Sequence, residues 1–294
     1  MSQARRKKKT GAKFIQYFAP LLDALRTLGG SGTPDEVVER IARDLKIPEN
    51  IQDELLPSGE GRFRNQIRWA RHYLAKEGLI DSSERGVWSL TESGQRAHLS
   101  MDDSRRIHAK YVHRDERERA ASKVPVDDQE SSPDQAAPDD DHAARVINIL
   151  RSLSPSGFER FSQRLLREAG FTQVVVTGQS GDGGIDGHGN LQIGPLLTLK
   201  ALFQCKRYKG SVSAPDVRDF RGAMDGRTDR GIMITTGTFT TEARREASRD
   251  GAAPIELIDS EKLVEMLRKL QLGLRPVTSY EVDEPFFEEF KTNA

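Results

Sequence analysis

Residues 196–210 read LLTLKALFQCKRYKG, and the change of character in the middle of this stretch decides the fold. Leu196 to Phe203 are mostly apolar, the mark of a strand buried in a sheet. Gln204, Cys205 and the cations Lys206, Arg207 and Lys209 follow at once. Strand alternation puts Gln204 and Lys206 on one face and Cys205 on the other. The flanking segments alternate helix and strand. SPSGFERFSQRLLREAGF has helical spacing with Phe158, Phe161, Leu165 and Leu166 inward, and QVVVTG is a β-branched strand. GGIDGHGNLQIG is a Gly-rich strand and turn, SAPDVRDFRGAMDG a helix with Ser213 as its cap, and RGIMITTG a strand. TTEARREASRDG, PIELID and SEKLVEMLRKL continue as helix, strand and helix. The pattern predicts an α/β domain over 143–275, a mixed sheet with helices on its faces.

Residues 13–100 follow a different rule. FIQYFAPLLDALRTLGG has helical apolar spacing and stops at Gly29 and Gly30. TPDEVVERIARDLKI starts with Thr33 as N-cap and Pro34 in the first turn. GRFRNQIRWARHYLAKEGLI puts Phe63, Ile67, Ala70 and Leu74 on one face. A strand, a turn at Arg85 and Gly86, and a second strand come next. Three helices and a hairpin are the order of a winged helix-turn-helix. In the third helix, Arg64, Arg68 and Arg71 form a stripe opposite the apolar face. Arg62 precedes them, and no acid stands between Arg62 and Lys76. Such a helix suits phosphate contact in the major groove of duplex DNA. The same stripe also suits a solvated helix face.

Formal net charge is zero but unevenly spread. A basic tail occupies 1–12. Residues 125–142 carry seven acids and neither Lys nor Arg, which cancels the basic front end. Residues 101–142, charged and then acidic and Pro-rich, bury too little apolar surface to order themselves, and read as a flexible linker. The start of this segment also has some helical character that would extend the first domain. Residues 276–294 read as a tail. The N-terminus is basic with no apolar segment behind it, and no apolar run approaches the ~20 residues of a membrane span. A single cysteine, Cys205, excludes an internal disulfide and a thiolate zinc site. A cytoplasmic, reducing location is expected.

Chemistry concentrates in the second domain. Asp186 sits among glycines in GDGGIDG, where backbone or ligand approaches closely. Glu159 lies next to Phe158, where an unpaired carboxylate is costly. Two carboxylates and the Gln204 amide oxygen make a site for a hard cation such as Mg²⁺. Lys206 beside it would orient water and stabilise charge on a phosphate. These parts add up to metal-assisted phosphodiester hydrolysis, although Lys206, Arg207 and Lys209 also suit a solvated strand end. Cys205 is expected to pack in the core, as are Trp69 and Trp88. His72 and His188 are expected at the surface. Thr235, Thr236 and Thr238 are read as strand-end turn residues rather than phosphate contacts.

Four segments together carry a resemblance: SGFERFSQRLLREAGF, VTGQSGDGGIDG, FQCKRYKGSVSAPDVRDFRGAM and GIMITTGTFTTEARREA. In order and spacing they resemble the Mrr-type restriction endonuclease catalytic domain, a branch of the PD-(D/E)xK nucleases, over roughly 150–270. Residues 13–100 resemble the winged-helix domain that precedes it. The resemblance implies a mixed sheet flanked by helices with the active site at one edge. It gives Asp186 the place of the metal-binding aspartate, Lys206 that of the catalytic lysine, and Glu159 that of the first-helix acid. Gln204 stands where many relatives carry an acid, in the QxK variant. Asp182 is a weaker candidate. The implied activity is Mg²⁺-dependent cleavage of methylated or foreign duplex DNA by a homo-oligomer, a dimer or higher. Two other readings remain open: a DNA-binding regulator with a non-cleaving nuclease-like domain, and a nuclease for branched DNA or RNA.

Overall fold

The computed structural model describes residues 12–81, 86–121, 141–177, 184–194, 196–228 and 230–277. Asp182, Arg85, the acidic run 122–140, and nearly all of the basic tail and the C-terminal tail lie outside them. A 3₁₀ turn, Lys13–Tyr17, leads into α1 (Phe18–Thr27). Strand β1 (Ser31–Gly32) and helices α2 (Pro34–Asp44), α3 (Glu49–Gln52) and α4 (Arg62–Lys76) follow. Thr33 and Glu36 close a reciprocal capping box that starts α2 beside Pro34. Then come β2 (Ile80–Asp81), β3 (Trp88–Leu90) and α5 (Glu92–Arg96). β3 pairs antiparallel with both β1 and β2, so a small three-stranded sheet backs the helices. Helices followed by an antiparallel pair of short strands are the order expected of residues 13–100. Phe63, Ile67, Ala70 and Leu74 are buried on one face of α4, against Phe14, Phe18 and Leu25. Trp69 and Trp88 are buried as expected.

One reading is corrected in this half. His72 is buried rather than exposed, its ring edge-on to Trp69 and Tyr73. Residues 101–121, read both as the start of a flexible linker and as helical chain extending the first domain, are the helix α6 (Met101–Ala121), as the second of those readings expects. Its first turns dock on the first core: Ser104, Ile107 and Tyr111 are buried, and the Tyr111 hydroxyl donates to the Lys76 carbonyl at 2.7 Å. Ser104, Ile107 and Tyr111 recur at helical spacing, a narrow stripe in a segment otherwise dense with charge.

The second half opens with α7 (Asp141–Ser152) and α8 (Pro155–Glu168). Strands β4 (Phe171–Val176), β5 (Gly187–Ile193) and β6 (Leu197–Lys206) form an antiparallel meander. β7 (Ser211–Val212), α9 (Ala214–Met224), β8 (Gly231–Thr235), β9 (Thr238–Phe239), α10 (Thr241–Ala247), β10 (Ile255–Ile258) and α11 (Ser260–Lys269) complete it. The main sheet has the order β10-β8-β6-β5-β4, with β10, β8 and β6 parallel. A parallel pair, β7 and β9, lies outside it. Phe203, Ile232 and Ile234 pack with α7, α8 and α11 on one face; Leu202 and Met233 pack with α9 and α10 on the other. The sheet is therefore buried on both faces, as the apolar run before Gln204 requires.

Candidate active site and nucleic-acid interface

β6 outlasts β5. The pairing of β5 with β6 begins at Gly187 opposite Phe203, so Gln204, Cys205 and Lys206 run on without a β5 partner. The Asp186 carboxylate stands in for that strand: its Oδ2 accepts from the Cys205 N–H at 2.6 Å. Backbone bonds hold Asp186 on both sides, from its own N–H to Phe203 and from Thr177 to its carbonyl. Gly184 has φ +83°, and a Cβ there would collide with the Gln204 amide. Only glycine allows this approach, in which Gln204 Nε2 donates to the Gly184 carbonyl at 2.6 Å. That bond fixes which end of the amide is which. Among the described residues, the buried Gln204 Oε1 has no hydrogen-bond partner. Leaving such an acceptor unsatisfied costs roughly 1–3 kcal/mol, and a hard cation would satisfy it.

Lys206 shares a face with Gln204 and Leu202, toward α9. Its Nζ lies 2.6 Å from Asp216 Oδ1. The other Asp216 oxygen accepts from the Ser213 N–H at 2.9 Å and its hydroxyl at 2.6 Å, the capping box of α9. Burial alone would raise the Asp216 pKa, but the Lys206 and Ser213 bonds outweigh it and hold it down to about 2. Tyr208 nearby is pushed up to about 12, by burial first and then by the Asp216 charge. Asp216 was missed in the sequence reading, which saw Ser213 as a cap. The Ser-x-x-Asp spacing of a capping box was the available signal.

Glu159 stands on α8, across the sheet from the Gln204 and Lys206 side chains. Its charge and that of Asp186 both act on the Cys205 thiol, whose pKa is raised mainly by burial. The structure thus gathers Asp186, Gln204 and Lys206 at one end of β6 and brings Glu159 to the same region from the opposite layer. Among the described residues, no group of three His, Cys, Asp or Glu is placed to hold a metal ion. Cys205 packs with the α8 core as expected. Thr235 and Thr236 are fully buried, and their hydroxyls donate to the Lys206 and Tyr208 carbonyls, which are strand-end roles.

The α4 arginines do not face open solvent. Arg64 lies 2.5 Å from Asp35 and 3.4 Å from Glu261, in the first turn of α11. Arg68 pairs with Glu60 and with Glu261 at 3.5 Å. Arg62 pairs with Glu54 at 2.9 Å, and Arg71 lies over the Trp88 ring. Burial opposes the Arg64 charge, but Asp35, Glu261 and Asp259 raise its pKa above the usual arginine value. Other contacts cross the same boundary. Asp53 accepts from the Thr241 N–H and hydroxyl, each at 2.9 Å, at the start of α10. Arg151 donates to the Ser58 carbonyl at 2.8 Å. Between the two halves lies a cavity of about 1000 Å³, lined by Arg64, Arg68, Arg71, His142 and Arg268 among others.

Residues 150–267 match the Mrr catalytic family, described as a restriction endonuclease, and residues 14–99 match the Mrr N-terminal domain. The type IV methyl-directed restriction enzyme EcoKMrr of Escherichia coli (strain K12) is 29% identical over 94% of this chain and 98% of its own length. Among solved structures, the DNA modification-dependent restriction endonuclease AspBHI aligns with a TM-score of 0.41 at 20% identity, over 67% of this chain and 56% of that one. MspJI in complex with a 27-mer oligonucleotide aligns with a TM-score of 0.39 at 22% identity, over 63% and 48%.

Proposed function

Since the chain belongs to the Mrr family of restriction endonucleases, we propose that it is a Mg²⁺-dependent enzyme that cleaves methylated or foreign duplex DNA. The observation that carries this reading is the buried Gln204 oxygen without a partner, beside an Asp186 held in place by backbone bonds. Asp186 and the Gln204 Oε1 would hold the cation, with Glu159 adding its charge from the α8 side of the sheet; the cation would supply Lewis-acid charge to the phosphate and lower the pKa of bound water. With few acids at hand, the amide oxygen is a needed ligand. Lys206 brings an ammonium to the same strand end, where it orients the attacking water and stabilises charge that develops on the phosphate. The α4 arginines contact the DNA backbone once they exchange their carboxylate partners for phosphates. One chain carries one such site, so cleavage of both strands calls for a homodimer or higher assembly. No helix among the described residues is long and apolar enough to cross a membrane. The lone Cys205, with no second thiol to pair with, suits a reducing cytoplasm.

The test is cleavage of one plasmid, prepared with and without defined methylation, by wild type, Asp186→Ala and Lys206→Ala with Mg²⁺ or EDTA. Cleavage that needs Mg²⁺, favours the methylated plasmid and disappears in both variants is the expected result. Wild type that binds but cuts neither plasmid would instead favour a DNA-binding regulator. Preference for a junction or RNA would move the substrate class.

A further inference from the structure

We infer that Asp216 is a positioning residue for the nuclease lysine: it holds the Lys206 ammonium at the end of β6 and presents it to the substrate phosphate. This rests on the reading of Lys206 as catalytic. A lysine side chain has four rotatable bonds and loses considerable freedom when it is held in one place. Here both ends of the residue are fixed. Its carbonyl accepts from the Thr235 hydroxyl at 2.7 Å and the Thr236 N–H at 3.4 Å. Its Nζ is held by Asp216 Oδ1 at 2.6 Å. The carboxylate is itself fixed, because its other oxygen takes both Ser213 donors. One oxygen thus serves the helix cap, and the other serves the lysine. An ammonium has three donors, so contact with Asp216 leaves two for a phosphate oxygen or a water. The pair need not break for the reaction to proceed. The Lys206 and Asp216 side chains retain 21% and 30% of their exposure, which leaves the ammonium open to a ligand.

The two jobs of Asp216 can be separated by substitution. Asp216→Asn keeps an oxygen for the Ser213 cap and removes the ion pair. Asp216→Glu keeps both, since Ser-x-x-Glu is the favoured capping box. Ser213→Ala weakens the cap and leaves the ion pair. With full-length protein, Mg²⁺ and supercoiled plasmid, single-turnover cleavage should fall on the order of 10- to 100-fold in Asp216→Asn, as for a misplaced catalytic group. DNA affinity should not change. Asp216→Glu, which restores the charge, should recover much of the rate lost in Asp216→Asn; Ser213→Ala, which keeps the Ser213 N–H on the carboxylate, should lose less than Asp216→Asn; and Lys206→Ala/Asp216→Asn should be no slower than Lys206→Ala. Thermal unfolding of each variant shows whether the cap survived. If Lys206→Ala is inactive while Asp216→Asn cuts at the wild-type rate, Asp216 is a helix cap only. Equal loss in Asp216→Asn and Ser213→Ala also overturns the inference, because the cap would then be the cause. A Lys206→Ala variant that cuts normally removes the catalytic reading of the lysine itself.

Discussion

Two regions of this chain carry cations suited to DNA phosphates, and each is met by a carboxylate of the protein, but by different routes. Lys206 pairs with Asp216, ten residues on in the same domain, within a capping box. Arg64 pairs with Asp35 in its own domain and with Glu261, 197 residues away in the other. The first pair is local, and a ligand can share the lysine without separating it from its partner. The second spans the boundary between the halves, and a phosphate must compete with Glu261 for the same guanidinium. A carboxylate beside a catalytic cation can therefore orient it, whereas a carboxylate beside a DNA-contacting cation opposes binding. The largest expected effect separates the two regions by what they change. Lys206→Ala should reduce the cleavage rate by about 10²–10³-fold and leave DNA affinity nearly unchanged. Arg64→Ala should do the opposite: weaken binding and lower the slope of log affinity against log salt by about 0.9 for one lost phosphate contact. Filter binding across a salt series, alongside single-turnover cleavage, reads both. A Lys206 variant that fails to bind would erase the distinction.

Glu261 sharpens the comparison with a change of opposite sign. Glu261→Gln removes the charge that α11 presents to Arg64 and Arg68 while keeping a side chain of the same size. DNA affinity should rise by roughly two- to fivefold, the range for a partly exposed ion pair, and the gain should shrink in high salt. An unchanged or weaker affinity would mean that the arginines do not exchange Glu261 for DNA.

How far the sequence could be read follows the same division between local and distant. Thr33, Pro34, the paired glycines after α1 and the apolar face of α4 are local signals, and the structure uses each of them. The apolar run ending at Gln204 likewise becomes the central strand, because its length and composition leave few alternatives. The docking of α6 was only partly visible: its contact stripe of Ser104, Ile107 and Tyr111 is thin, and composition is dominated by the charges around it. His72 was misplaced because a polar residue on a basic helix looks exposed until Trp69 and Tyr73 are known to enclose it. The partners of Arg64 depend on how the two halves pack, which no spacing within α4 encodes. In the candidate site, Asp186, Gln204 and Lys206 were nameable from pattern and resemblance. The orphaned Gln204 oxygen and the Asp216 contact appear only once β6 runs past β5.

The smallest expected effect tests whether the local pair matters to the fold as well as to the lysine. Asp216 titrates near 2 in the folded protein against an ordinary 3.8. A carboxylate whose pKa is lowered on folding stabilises the native state fully above its unfolded pKa and loses that contribution as protonation proceeds in the folded state. Asp216 should therefore contribute its full share above about pH 4 and lose it between pH 4 and 2. In urea unfolding at a series of pH values, wild type should lose stability through that window more steeply than Asp216→Asn, which has no carboxylate to protonate there. The difference is small because Asp216 is partly exposed and solvent screens the pair. Parallel curves for the two proteins below pH 4 would show that the ion pair leaves folding untouched. Its effect would then be confined to where Lys206 stands.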